Sequence, residues 1–184
     1  MTWHTPRTWV SGEFVTALLM NEQVRDNLDI LKIIFADTGA PTNALYPSLQ
    51  SADVTKNANT TLEDLDDLAF PILANETWGF GAVSFMISDG TADVKYSVTA
   101  PASSTGRFGI LGSGAPITAG STTVFGDPVD MAIPNTLTQT IMVWGSVTAS
   151  VTPGTVQIQG AQNTSTAVNT VFYENSIIIA VRKF

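Results

Sequence analysis

The residues able to do acid–base, nucleophilic or metal chemistry are few in this chain, and they are poorly arranged for it. The single histidine, His4, stands in the run Met1-Thr2-Trp3-His4-Thr5-Pro6-Arg7. Nothing there would orient its ring, whereas a catalytic imidazole needs a partner that fixes its tautomer. His4 therefore reads as an arm residue. There is no cysteine, which excludes disulfides, thiolate metal sites and cysteine nucleophiles. No Gly-x-Ser-x-Gly elbow, phosphate loop or His-Glu-x-x-His motif occurs. The run Gly109-Ile110-Leu111-Gly112-Ser113-Gly114 is glycine-rich, but it lacks the Lys-Ser/Thr ending and a helix to receive a phosphate. It reads as a flexible loop. The acidic run Glu63-Asp64-Leu65-Asp66-Asp67 holds carboxylates dense enough to suggest Ca²⁺, a cation of oxygen-rich flexible loops. The simpler reading is a solvated turn that keeps a strand edge from pairing with foreign strands. Glu63 and Asp66 are the one pair conceivable as acid and base of a glycan hydrolase. Asp89 and Asp93 flank a tight turn, and an Asp89-Gly90 hairpin accounts for Asp89 without a metal. The glycosylation patterns at Asn59, Asn75 and Asn163 are chance matches in a Thr-rich chain. No enzyme activity, catalytic residue, cofactor or metal site is expected.

Composition narrows the partners. The chain has 184 residues, of which 44% are hydrophobic but only 13% charged, against about 25% charged in ordinary domains. Its 25 Thr and 14 Ser supply much of the polar surface. Eight basic and sixteen acidic residues leave a net charge of −8, which disfavours nucleic acid and anionic membranes as partners. No apolar run reaches the ~18 residues of a membrane span. The first residues lack the basic and apolar regions of a signal peptide, so a non-secreted protein is expected. The charge is also unevenly spread: residues 101–184 carry three basic and three acidic groups, so all the negative excess lies earlier. A neutral stretch of this length suits a subunit that hides surface against copies of itself.

Two kinds of element must carry these residues. From Gly12 to Asp37, Ala17, Met20, Val24, Leu28, Leu31 and Phe35 recur at helical spacing, which predicts one long helix with an apolar stripe. Ser11 is its expected N-cap, and Gly39 with Pro41 its stop signal. Asn27 falls within the heptad seam, where a buried amide sets register. Ahead of the helix, the arm Met1–Val10 holds Trp3 and Trp9, too short a segment to bury two indoles by itself.

From residue 43 on, short β-runs alternate with turn signals. The expected strands are Thr60–Leu62, Leu68–Ile72, Thr77–Ser88, Asp93–Ala100, Arg107–Leu111, Ser121–Phe125, Met131–Ile133, Thr138–Ser150, Thr155–Ala161, Thr170–Phe172 and Ser176–Phe184. Asp89-Gly90 predicts a hairpin, and Pro153-Gly154 another tight turn. Trp78 and Trp144 read as core residues within their strands. The fold class is mainly β: an antiparallel jelly-roll β-sandwich over residues 43–184, preceded by an arm and one α-helix over residues 1–42 for anchoring and oligomerisation.

A resemblance adds to this reading. Trp9-Val10-Ser11-Gly12-Glu13-Phe14-Val15-Thr16-Ala17, continuing through Asn21 and Val24-Arg25-Asp26-Asn27, resembles an N-terminal signature of tailed-bacteriophage virion structural proteins. The remainder is similar in outline to trimeric jelly rolls of the tumour-necrosis-factor-like type. Leu68–Ile72 followed by Thr77–Phe80 looks like the paired strands of that group, and Ser176–Arg182 like its terminal core strand. The resemblance implies a non-enzymatic homotrimer in the virion, assembled in the host cytoplasm, that decorates and stabilises the capsid or forms a head fibre. Its partners would be its own copies and the major capsid protein or other virion proteins. Trp3, Trp9, Phe14, Val24, Leu28, Leu31 and Phe35 would grip them, since tryptophans dominate such contacts. The alternative is a tail-fibre or tail-tip module binding a host surface receptor, such as a glycan, through the loops Ser103–Arg107 and Gly112–Gly120.

Overall fold

The computed structural model describes residues 8, 11–14, 16–25, 45–112, 119–133 and 138–183. By contacts the chain divides into two compact units, Met1–Leu45 and Tyr46–Phe184.

In the first unit, helix α1 (Ala17–Met20) runs into a π-helical turn, Asn21–Arg25. Its start differs from expectation. The N-cap is Thr16, whose hydroxyl accepts from the Leu19 amide at 3.3 Å, not Ser11. Residues 11 and 12 form a turn instead, with Gly12 at φ +84°, a left-handed conformation that no helical residue adopts. Neither α1 nor the π turn buries a residue: Leu18 is 65% exposed. The continuation of the helix to Asp37, and Asn27 in its seam, lie outside the described residues.

The second unit is a β-sandwich. The strands are β1 (Leu45–Leu49), β2 (Val54–Lys56), β3 (Glu63–Ile72), β4 (Thr77–Ile87), β5 (Val94–Thr99) and β6 (Thr105–Gly112). They continue with β7 (Ala119–Thr122), β8 (Val129–Met131), β9 (Gln139–Thr148), β10 (Gly154–Gln162), β11 (Thr170–Phe172) and β12 (Ile177–Lys183). The large, eight-stranded sheet runs β1-β12-β4-β9-β6-β7, with β2 on β11 and β11 on β4; the small sheet runs β3-β10-β5-β8. The pairing is nested: β1 with β12, β2 with β11, β3 with β10, β4 with β9 and β5 with β8. Such folding of a long hairpin onto itself is jelly-roll connectivity. The hairpin β6–β7 is an insertion that widens the large sheet beyond β9.

This topology overturns the expected hairpin at Asp89-Gly90. Strand β4 belongs to the large sheet and β5 to the small one, so the turn is a corner between layers. Its chemistry is still that of an Asx turn. Asp89 Oδ1 accepts from the amides of Thr91 (3.2 Å) and Ala92 (2.7 Å). The Pro153-Gly154 turn likewise crosses from β9 to β10. Strands β3 and β4 do not pair by hydrogen bonds either. They face each other across the core, with the Phe70 ring 5.5 Å from Trp78 and 5.8 Å from Phe80. The expected strand Thr60–Leu62 is irregular, while β1 and β2 are strands that the sequence reading did not include.

The core lies between the sheets. Trp78, Phe80, Ala82, Ser84 and Met86 of β4 point inward, and Ile178, Ala180, Ile141 and Val143 line the same layer. Tyr96 closes it from the small sheet, edge-on to Phe172 at 5.5 Å and 3.1 Å from the Ser84 hydroxyl. Burial pushes the Tyr96 hydroxyl pKa up, and its bond to Ser84 only partly opposes this.

Each sheet edge is short or blunted. Strand β8 has three residues, β7 four, and β1 carries Pro47. The outer edge of the small sheet, β3, carries the acidic run. That run is part of a strand, not a turn, yet it sits where carboxylates discourage foreign strands.

Candidate functional site

The two outer faces of the sandwich differ in chemistry. None of the eight strands of the large sheet contains Asp or Glu, whereas β3 and β8 of the small sheet contain Glu63, Asp64, Asp66, Asp67 and Asp130. On the small sheet three of these carboxylates are separately engaged. Glu63 pairs with Lys56 and accepts from Asn59 at 2.7 Å. Asp64 accepts from Gln159 at 2.8 Å, and Asp67 from the Ser51 amide and hydroxyl at 3.1 and 2.5 Å. Among the described residues no group of three or more acidic or histidine side chains is placed to hold a metal ion.

These bonds favour the ionised carboxylates. The hydrogen bond from Lys56 first, then Asn59 and the Lys56 charge, hold the Glu63 pKa below its ordinary value. The Ser51 hydroxyl and then its amide do the same for Asp67. Each group therefore binds a proton more weakly in the folded than in the unfolded chain. The stability they contribute is complete above the unfolded carboxylate range, about pH 4, and is lost as pH falls through the lower folded values. Both groups are solvent-screened, so the effect is modest. Asp67→Asn is expected to flatten the acid limb of a stability-versus-pH curve. An unchanged limb would remove Asp67 from this account.

The large sheet presents an outer face of another kind. Strand alternation turns Met142, Trp144 and Ser146 outward on β9, and Ile177, Ile179 and Val181 outward on β12. Met142 is 47% exposed, Trp144 46%, Ile179 43% and Val181 50%. Leu49 of β1 is 52% exposed on the same side. Between the ridges of β12 and β9, strand β4 contributes Gly79 and Gly81, where an added Cβ meets nothing closer than 4.0 Å. The register aligns Ile179, Gly81, Trp144, Gly109 and Ser121 in one row across five strands. The next row is Ile177, Val83, Met142, Leu111 and Ala119.

Trp144 lies against Gly109, where a Cβ would stand 3.2 Å from the indole. The missing side chain on β6 is what lets the ring lie down on the sheet. Beside it is a cavity of about 540 Å³, lined among others by Arg107, Ile110, Ala119, Ser121, Trp144 and Ser146. Its polar groups are few and its walls mostly apolar or backbone. The site is suited to docking by shape and apolar burial, and it offers no proton-transfer pair.

No protein-family model matches this chain, and no curated protein matches it. Among solved structures the chain is similar to infectious bursal disease virus, Gx strain, at 15% identity and a TM-score of 0.20, and to the VP2 subviral particle of infectious bursal disease virus, at 14% identity and 0.21. Each likeness covers 75% of this chain and 40% of that chain. Scores of this size establish no family.

The site residues expected from sequence fare unevenly. Trp3, Trp9, Leu28, Leu31 and Phe35 lie outside the described residues. Phe14 is 90% exposed and Val24 39% exposed, and neither is among the buried residues of the described core. Trp78 is a core residue as expected, but Trp144 is not: it faces outward from β9. The glycine-rich run is not a loop over its first part, because Gly109 to Gly112 belong to β6. Likewise Thr105, Gly106 and Arg107 of the first candidate receptor loop lie in β6, and Ala119 and Gly120 of the second lie in β7. Residues 113–118 fall outside the described part. A signal for the apolar face is present in the sequence. Ile177-Ile178-Ile179-Ala180-Val181 is apolar at consecutive positions, so a strand there must turn apolar side chains to both sides.

Proposed function

We propose that this protein is a non-enzymatic structural component of a bacteriophage virion: a homotrimer that decorates and stabilises the capsid, attached through its N-terminal arm. The observation that carries the reading is the outer face of the large sheet. Monomeric proteins seldom expose a contiguous apolar patch beyond a few hundred Å², and larger patches mark interaction sites. Covering the exposed half of a large aliphatic or aromatic side chain contributes about 1 kcal/mol, so Met142, Trp144, Ile179 and Val181 together favour association substantially. The phage-like N-terminal motif supports the virion assignment, and the exposed Phe14, Leu18 and Met20 suit a segment that grips a neighbour.

A second reading, a tail-fibre or tail-tip module that binds a host receptor, draws on the exposed Trp144 beside its cavity, since an open indole face stacks on sugar rings. Two measurements decide. Native mass of the purified chain is expected at three times 19.5 kDa, and copy number in particles in the hundreds. A handful of copies per particle favours the tail, and a 19.5 kDa monomer rejects the homotrimer.

A further inference from the structure

The large-sheet face is corrugated. Ile179 and Val181 of β12 form one ridge, and Trp144 with Ser146 of β9 a second, while Val83 closes the end of the space at the Met142 row. Gly79 and Gly81 of β4 leave a trough between them. Neighbouring strands are about 4.8 Å apart, so the ridges stand about 9.6 Å apart, room for one row of aliphatic side chains. Charge points to the occupant. Two molecules of net charge −8 repel most where their carboxylates meet. The strands of the large sheet hold no acidic residue and four basic ones, Lys56, Arg107, Arg182 and Lys183, so this face brings no carboxylates of its strands together. The sheet edges offer no alternative route, being short, proline-bearing or acidic.

We propose that a second copy of this chain covers this face, with the Ile179–Val181 ridge of one copy seated in the Gly79–Gly81 trough of another. The inference rests on the reading of the chain as a self-assembling structural protein, and it names the surface through which assembly occurs. A glycan is the disfavoured occupant of the trough, because its β4 and β12 sides are apolar, the hydrogen-bonding side chains Arg107, Ser121 and Ser146 lying on β9 and the strands beyond it.

The test uses the full chain and three variants, each checked for folding by circular dichroism and thermal melting. Gly81→Arg fills the trough at a position where a Cβ meets no neighbour within 4 Å, so the fold is expected to survive. Ile179→Arg charges the ridge, and it reads the same interface should Gly81→Arg fold poorly. Thr155→Arg adds the same charge to exposed β10 in the small sheet and is the control. The expected result is an oligomeric wild type and Thr155→Arg, with Gly81→Arg and Ile179→Arg reduced to 19.5 kDa. An oligomer that persists in both folded trough and ridge variants overturns this interface and leaves self-assembly standing. A monomeric wild type overturns both. Retention of the wild type on immobilised bacterial-surface glycans that is lost in Trp144→Ala, with oligomer mass unaffected by Gly81→Arg, gives the face to a sugar and also overturns the proposal.

Discussion

Trp78→Ala is expected to destabilise the sandwich by about 3–5 kcal/mol, the range for removing a large aromatic from a packed core. Trp78 is fully buried on β4 and packs 5.5 Å from Phe70 of the opposite sheet. Its indole nitrogen also donates to Glu76 Oε2 at 2.9 Å. That carboxylate, itself buried, accepts from the Leu73 amide at 3.0 Å and pairs with Arg182 of β12 at 3.0 Å. Trp78 thus ties three things together: the contact between the sheets, the turn from β3 to β4, and the end of the last strand. Whole domains are stable by only about 5–15 kcal/mol, so the loss is a large fraction of the total. For a chain of this size it corresponds to a fall in Tm of about 6–20 °C. Trp78→Phe separates the two contributions. It keeps a ring in the core but removes the donor to a charged group, a loss of about 1.5–3 kcal/mol. If Trp78→Ala melted within 2 °C of the wild type, the core as described would be wrong.

The second large effect is expected at Gly106. This residue lies in β6 opposite Val147 of β9, with φ +152°. A Cβ there would stand 2.0 Å from the Ser146 carbonyl oxygen and 3.0 Å from the Val147 Cα. Both are backbone atoms of a central strand, so neither can give way without breaking the β6–β9 ladder. Steric overlap and backbone strain each cost about 1–3 kcal/mol, and Gly106→Ala should lose about 3 kcal/mol or more. Gly81→Ala is the contrast. Its φ is ordinary and its Cβ would meet open space, so the same change should alter stability by no more than about 1 kcal/mol. Urea midpoints at constant slope measure both. Equal midpoints for the two variants would contradict the close approach of β6 to β9.

Much of the architecture can be read from residue order. Alternation in Thr77–Ser88 and Thr138–Ser150 marks long strands because the side-chain period of a strand is fixed locally. Strands β1 and β2 escape such a reading. Leu45-Tyr46-Pro47-Ser48-Leu49 carries a proline that ordinarily argues against a strand, and only its place at the sheet edge makes it tolerable. The three residues of β2 are too few to show a period.

Asp89-Gly90 shows where local chemistry stops. An Asp-Gly turn fixes a reversal of the chain, and Asp89 makes the bonds that such a turn requires. Whether the strands on either side then pair, or part into two layers, depends on partners far away in sequence: β9 and β12 claim both edges of β4, while β10 and β8 claim those of β5.

By itself, then, the sequence determines that this chain is mainly β, that it lacks the residues for thiol or metal–thiolate chemistry, and that its last 84 residues are electrically neutral. Composition and period-two alternation are local properties, and they survive any arrangement of the strands. Only the tertiary structure decides which side of each strand meets the core. Trp78 and Trp144 both stand within apolar β-runs, yet one is buried and the other faces outward. The difference comes from strand register, which sets Trp144 beside Gly81 and Gly109 on the outer row. The apolar face exists only when β4, β9 and β12, distant in sequence, are laid side by side in one sheet.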